Sequence, residues 1–455
     1  MSKPAKDVTG TSTWLSRESW RERVVTADPS WYLVCMGSGI IVQLLASNFP
    51  YPAEWLHTIG YIFWIIDICL FGLFTALGTA RAWMFPKALA STLHDVQQTC
   101  YWGTMVVAWE TIGTGIVVFY KADESAAYVA EVFFWIAVAM AMGVACGGVY
   151  AVYQRQGQHH LDDVNGAWFL LFIPQIVAAA FGSNLANALP LRNGIAVIVV
   201  SYLMLSLGLG MSLLLLGIYF WRLISCHLPP RASIVSTFVP VGPLGMSAYA
   251  FVNLSVALSR AVSRQKFGFH QSWESPLSAA TLDAVAEMVI WIGVFGALFL
   301  LGMASFFLVE AVAAIITTVP KTFNIGLWSF VFPCGVYTNA FCKLSTLLRN
   351  EGMKGWAAAC VVGTVLLWLM CATLTTYKAV IQGKLFFAPG LQGWVEEKEL
   401  SAYSKSEGLS EDKGLEKMQG PQQASTGSGT GLRRRPQNDG SYTPSKVGNG
   451  TVDTV

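Results

Sequence analysis

The chain has 455 residues, 54% of them hydrophobic and only 12% charged, about half the charged share of roughly 25% found in soluble globular proteins. So few charges cannot solvate the surfaces of several soluble domains, which excludes a soluble multi-domain enzyme. The 42 Gly, 17 Trp and 26 Phe fit an all-α polytopic membrane protein, where small residues let helices approach and aromatics sit at the interfaces; the net charge of +2 singles out no partner, and nothing points to nucleic acid.

Residues 1–29 are polar, carry Lys3, Lys6, Arg17, Arg21 and Arg23, and have no apolar segment ending in a small-residue cleavage site. They read as a cytoplasmic N-terminal tail, with the first membrane span doing the targeting. A spanning helix needs roughly 20 apolar residues. Ten stretches qualify, near 31–49, 55–80, 97–120, 128–153, 166–189, 194–222, 233–260, 284–312, 323–345 and 356–382. Residues 30–393 therefore form one ten-helix transmembrane domain. From Trp394 the chain turns Glu, Lys, Ser, Gly and Gln-rich, with Arg433, Arg434 and Arg435, a composition that cannot bury a core, so 394–455 reads as a disordered cytoplasmic tail. An even count places both termini on one side. That side carries about 21 Lys and Arg against about 8 on the other, so both termini are expected in the cytoplasm. The sequon at Asn449 is then expected to stay unglycosylated.

Prolines within the spans fall in odd-numbered segments. Pro174 lies in the fifth, Pro240 and Pro243 in the seventh and Pro333 in the ninth, with Gly37 and Gly39 in the first and Gly103 in the third. Taking Gly37, Met105, Pro174, Pro240 and Pro333 as midpoints gives spacings of 68, 69, 66 and 93 residues, the last lengthened by a polar insertion at 263–281. This is a helical hairpin repeated five times. It predicts kinked odd helices around a central pore, with straighter even helices facing lipid. Pro and Gly are also simply common in membrane helices.

Ionisable residues within the spans are few: Asp67, Glu110 and Lys343, with Glu131, Glu287 and Glu310 nearer helix ends. Asp67 sits on an outer helix, where it serves either a function or a polar staple to a neighbouring helix. Glu110, on an inner helix, either titrates a proton or completes an ion pair. No ring of Lys or Arg lines the axis, so a small anion there would be held by helix ends, backbone N–H groups and hydroxyls, loosely enough to leave again. Arg231, His94 and Arg81 fall near the cytoplasmic mouth, where positive potential concentrates anions, although the positive-inside rule accounts for the arginines equally well. Phe332, directly before Pro333, is placed either as a ring closing the axis or as a core aromatic. The nine cysteines show no paired spacing and read as small buried hydrophobes. His159 and His160 with Asp162 and Asp163 lack helical ligand spacing and read as a solvated loop. No metal, cofactor or phosphate-binding loop is expected.

Several separated motifs complete the picture: Trp31 with Met36–Ile40; Leu228–Arg231 followed by Val241–Gly245; Phe323–Trp328 through Phe332–Tyr337; and Gly383–Pro389. In this order they resemble the tellurite-resistance/dicarboxylate transporter family, which is related to plant slow anion channels, and within it the fungal sulfite efflux pumps. The resemblance spans about residues 30–390. It implies ten helices in five hairpins around a pore, often in homotrimers, and a pore-occluding phenylalanine at Phe332. Two positions depart from the pattern. The third span lacks a proline and carries Glu110, and Asp67 replaces a residue that is commonly uncharged. The resemblance implies a plasma-membrane sulfite exporter, with a malate or dicarboxylate permease or an anion channel of the same family as the alternative. A non-transporting scaffold or receptor would instead have a closed axis without a polar path.

Overall fold

A computed structural model describes residues 24, 27–121, 123–231, 233–263, 279–320 and 323–381. The expected C-terminal tail, the Gly383–Pro389 motif, most of the N-terminal tail and most of the polar insertion lie outside these residues. Ten main helices follow one another: α1 (Tyr32–Ala46), α2 (Glu54–Met84), α3 (Val96–Phe119), α4 (Glu124–Arg155), α5 (Ile173–Leu185), α6 (Leu191–Cys226), α7 (Val241–Ser263), α8 (Ala279–Thr317), α9 (Val331–Leu347) and α10 (Glu351–Thr375). Among the described residues no strand occurs, and nine helical segments are long and apolar enough to cross a membrane. The expected fifth span is the one short of that length. It is a 13-residue α-helix led in by a 3-10 helix, Gly166–Leu171.

Local chemistry sets the helix starts. Asp95 accepts the Gln98 N–H at 2.8 Å, Asp123 the Ser125 N–H at 2.9 Å and Asn350 the Met353 N–H at 2.9 Å, opening α3, α4 and α10; each satisfies a donor the helix leaves free. The odd helices α1, α5, α7 and α9 start differently. Each is preceded by a 3-10 segment, at Pro29–Trp31, Gly166–Leu171, Ile234–Phe238 and Ile325–Phe330. Pro174, Pro243 and Pro333 sit in the first turn after that segment, and Pro240 in the turn just before α7, where a missing N–H costs nothing. The expected mid-helix kinks are therefore junctions between 3-10 and α geometry. Gly37, Gly39 and Gly103 break nothing, since α1 and α3 run through them unbroken; they permit close packing instead. The outer helix α4 has its own irregularity, a π turn at Gly143–Gly148. The Gln175 amide donates at 2.6 Å to the Ala141 carbonyl just before it.

Odd and even helices differ in burial as the repeat requires. The most apolar windows of the first, third, seventh and ninth segments are 83, 67, 83 and 78% buried, and those of the even ones 17, 22, 39, 39 and 22%. Every residue of α5 except Asn184 is buried. The inner helices pack as a closed five-membered ring in the order α1, α3, α5, α7, α9 and back to α1, with no extended contact across it among the described residues. Small residues set its spacing. A Cβ on Gly103 would run into the Leu170 carbonyl ahead of α5, and one on Gly245 would stand 2.8 Å from the Tyr337 backbone nitrogen of α9. Each outer helix packs on the inner helix before it and also reaches the next one around the ring. The apolar surface left over, such as Phe295, Phe299 and Val309 on α8 or Leu203 and Leu214 on α6, belongs against lipid rather than water.

Candidate functional site

Successive residues of an α-helix turn by about 100°, so the contacts of an inner helix with its two ring neighbours fix the stripe that faces the axis. On α9, Gly335 meets Ile40 of α1 and Tyr337 meets Gly245 of α7. Between those faces, and away from partly exposed Cys334 and Phe341, stand Phe332, Val336, Asn339 and Lys343. On α3, Thr111 abuts Gly39 of α1, and Gly113 abuts Phe181 of α5; Gly103, Val107 and Glu110 lie between. On α7, a Cβ on Gly242 would stand 3.6 Å from Ile173 of α5 and 3.8 Å from Pro333 of α9, and Met246, Tyr249 and Asn253 follow on its stripe. The same construction gives Ile173, Val177, Ala180 and Asn184 on α5, and Met36, Ile40 and Gln43 on α1.

These stripes divide the axis into levels. The middle is apolar and tightly filled, with Phe332 only 2% exposed and Met36, Ile40, Val107, Ile173, Val177, Met246 and Val336 all buried. Inside it is one ionisable side chain, Glu110, at 0% exposure. Neither carboxyl oxygen of Glu110 has a hydrogen-bond partner, and the one ion pair among the described residues joins Lys354 and Glu351 elsewhere. The ion pair that the sequence left open for Glu110 is thus absent among the described residues. Asp67 reaches inward from α2, where its carboxyl accepts a hydrogen bond from the Thr111 hydroxyl at 3.0 Å, which is the staple geometry.

At the C-terminal end of the inner helices the lining becomes polar, a feature that sequence reasoning missed. The Asn48 amide donates to Asn339 Oδ1 at 2.8 Å and to the Tyr249 hydroxyl at 3.3 Å. Tyr249 and the Asn253 amide both donate to Asn184 Oδ1, at 3.1 and 2.7 Å, and Asn339 donates to Gln43 Oε1 at 3.2 Å. This network ties together four of the five inner helices. A signal was available: Asn184, Asn253 and Lys343 each lie ten residues after the proline of their own repeat, Pro174, Pro243 and Pro333.

At the opposite end the 3-10 segments converge. Gln97 and Tyr101 of α3, Asn165 and Leu170, Ser233 and Ser236, and Asn324 and Ser329 line a cavity of about 40 Å³ there. Beside it a wider cavity of about 580 Å³ includes His94, His159, Asp162, Asp163 and Arg222, together with Pro229 and Pro230; the neighbouring Arg231 is exposed. His94 is exposed as well, its Nδ1 3.1 Å from the Ala90 carbonyl. Arg81, grouped with these two by sequence, lines a different cavity, with Asp28, Tyr32 and Trp102. It is 2% exposed and close to Asp28, whose carboxyl accepts from Ser30 at 2.6 Å and from the Gln98 amide at 2.9 Å. Burial pushes the Asp28 carboxyl above its ordinary range; hydrogen bonds from Ser30 and Gln98 and the positive charge of Arg81 act against that rise. No group of three or more His, Cys, Asp or Glu suited to a metal occurs among the described residues.

The sequence profile described as "Voltage-dependent anion channel" matches residues 26–376, which takes in all five hairpins. The chain belongs to that family. Its members are transporters or channels rather than enzymes. A sulfite efflux pump of Arthroderma benhamiae is 29% identical over 355 residues, covering 77% of this chain and 90% of the pump. The sulfite efflux pump of Saccharomyces cerevisiae is 22% identical over 355 residues, covering 68% and 77%. The malic acid transport protein of Schizosaccharomyces pombe is 20% identical over 366 residues, covering 78% and 80%. The family resemblance read from the motifs is therefore correct, and the chain is a multi-pass anion transporter.

Proposed function

We propose that this protein exports sulfite across the plasma membrane along the axis of the inner ring, and that the Phe332 ring closes that route. The observation that carries the reading is the buried Phe332 on the axial stripe of a closed five-helix ring, in a chain whose relatives include several sulfite efflux pumps. In this reading residues 30–393 cross the membrane ten times, α5 with its 3-10 lead-in making the fifth crossing. Residues 1–29 and 394–455 are cytoplasmic tails, and the assembly is a homotrimer.

All five inner helices start at the same end of the ring, so their N-terminal half-charges add on the cytoplasmic side and draw anions in. Among the described residues the middle of the axis offers no cation, so an anion crosses it without being held tightly, as rapid passage requires. An inside-negative potential drives it outward by about 2.3 kcal/mol per charge per 100 mV. Glu110 faces the axis without a partner, and a fixed negative charge there would oppose an anion. It acts as a neutral, proton-bearing carboxyl while anions pass. Pro174, Pro243 and Pro333 fix the junctions that turn the inner stripes toward the axis, while Gly37, Gly39 and Gly103 let the helices close around it. Arg231 adds positive charge near the cytoplasmic mouth, where His94 also stands.

The match to a malic acid transport protein supports a second reading, a malate permease of the same architecture. Purified protein in liposomes, challenged in parallel with sulfite, malate and nitrate, decides between them. Sulfite flux exceeding malate flux is expected, and malate flux without sulfite flux would overturn the preferred substrate.

A further inference from the structure

Between the outer helices α6 and α8 lies a cavity of about 220 Å³. Tyr219 and Phe220 of α6, Thr237 of the 3-10 lead-in to α7, and Phe306, Phe307 and Glu310 of α8 line it. Phe220 and Phe306 are exposed, so the rim of the cavity belongs to the face turned toward lipid. Its level in the membrane follows from α8. Glu287 and Glu310 bound a run, residues 288–309, that has no charged side chain. At 1.5 Å per residue these two glutamates stand about 34 Å apart along the helix, close to the roughly 30 Å thickness of a hydrocarbon core. Glu310 is therefore placed where acyl chains give way to headgroups, at the end of the molecule where the inner helices begin.

Two polar groups in this cavity lack partners. Glu310 is exposed, and among the described residues no ion pair or hydrogen bond reaches its carboxyl. A carboxylate at the edge of hydrocarbon is costly unless a cation joins it. Tyr219 is 0% exposed, and its hydroxyl has no hydrogen-bond partner among the described residues, a loss that a bound donor would repair. Aromatic rings complete the lining. The centroids of Phe306 and Phe307 are 5.2 Å apart, and that of Phe220 is 6.2 and 6.4 Å from them. Such rings attract ammonium groups.

One ligand chemistry meets all three features. A primary ammonium at headgroup depth offers a positive charge to Glu310, N–H donors to the carboxylate and the hydroxyl, and a cation to the rings. Its acyl chains would run along the apolar outer surface of α6 and α8. A quaternary choline suits the rings but has no N–H to donate, and an anionic headgroup is repelled by Glu310. We propose that this cavity binds the headgroup of phosphatidylethanolamine, with Glu310 and the Tyr219 hydroxyl accepting hydrogen bonds from its ammonium. The bound lipid bridges α6, α8 and the lead-in to α7, and so holds two outer helices against the inner ring. The site is independent of which anion crosses the axis.

Native mass spectrometry of the detergent-purified full-length chain reads lipid adducts and subunit number together. The chain is titrated with phosphatidylethanolamine, phosphatidylcholine and phosphatidylglycerol of matched acyl chains. Phosphatidylethanolamine is expected to bind several-fold more tightly than either of the others. Glu310→Gln should abolish that preference and Tyr219→Phe should reduce it, while Glu287→Gln, exposed at the far end of the same helix, should match wild type. If Glu310→Gln does not elute as a folded species, Tyr219→Phe is read in its place. Phosphatidylcholine or phosphatidylglycerol binding to wild type as tightly as phosphatidylethanolamine overturns the site, as does an undiminished preference in the variant that is read. A Glu310→Gln chain that loses subunits but keeps the lipid preference assigns the cavity to a second copy of this chain and likewise overturns the proposal.

Discussion

Gly103 gives the sharpest test of the ring. A Cβ placed there would overlap the Leu170 carbonyl oxygen, with the carbonyl carbon at 2.9 Å and Pro174 Cγ at 3.4 Å. The first obstacle is backbone in the 3-10 lead-in to α5, so no side-chain rotation relieves it. Relief requires moving α3 away from that segment by roughly an ångström along a face packed with Tyr101, Val107 and Leu170. Overpacking of a tight core costs about 1–3 kcal/mol when side chains can adjust. With a carbonyl in the way, Gly103→Ala should reach or exceed the top of that range. The matched control is Gly217→Ala on the outer helix α6, where nothing lies within 4 Å of an added Cβ. That change should be neutral or stabilising by up to about 1 kcal/mol through helix propensity. Fluorescence-detected size exclusion after heating ranks the two variants against wild type. Equal melting of Gly103→Ala and Gly217→Ala would refute the packing of α3 on the α5 lead-in, and with it the closure of the ring.

Other expectations follow from single contacts. Gln175→Leu removes the donor to the Ala141 carbonyl ahead of the π turn and leaves that oxygen buried, so stability should fall by about 1–3 kcal/mol; an unchanged melting point would show that the bond is not needed. Glu110→Gln keeps a neutral side chain of the same size, so flux should persist while its pH dependence changes, and an identical pH profile would return Glu110 to a structural role. Asp28 takes up its proton in the folded chain before it does so in the unfolded one. Its contribution to stability therefore grows as pH falls from the raised folded value toward the ordinary carboxylate range. Asp28→Asn should flatten that part of the pH–stability curve, and an unaltered curve would remove the group from the account.

Much of this architecture was legible because the bilayer imposes simple rules. Apolar length located nine long apolar helices within a few residues, and the segregation of Pro174, Pro243 and Pro333 into odd helices marked the inner ring. Their positions misled on one point. A proline after a 3-10 segment and one that kinks a long helix look alike in sequence, since the hydrogen-bond pattern that separates them is set by packing. For the same reason the 13 residues of α5 read as part of a full-length span.

Glu110 was visible as an ionisable residue in an apolar run, but whether a cation stood beside it depended on the ring order. Arg81 carried the charge expected of the cytoplasmic mouth, but its burial beside Asp28, remote in sequence, could not be read from the chain. The amide network of Asn48, Asn184, Asn253 and Asn339 went unread because uncharged polar residues near helix ends are ordinary at membrane interfaces. Only the shared ten-residue offset of Asn184 and Asn253 from Pro174 and Pro243, together with the ring closing around the network, turns these residues into a level of the axis.

The central claim, that anions cross along the axis past Phe332, is tested most directly by sulfite flux into liposomes for Phe332→Ala beside Phe299→Ala, an exposed aromatic on the lipid-facing side of α8. The account predicts that Phe332→Ala conducts at least several-fold faster than wild type while Phe299→Ala matches wild type. Unchanged flux in a folded Phe332→Ala chain would contradict it.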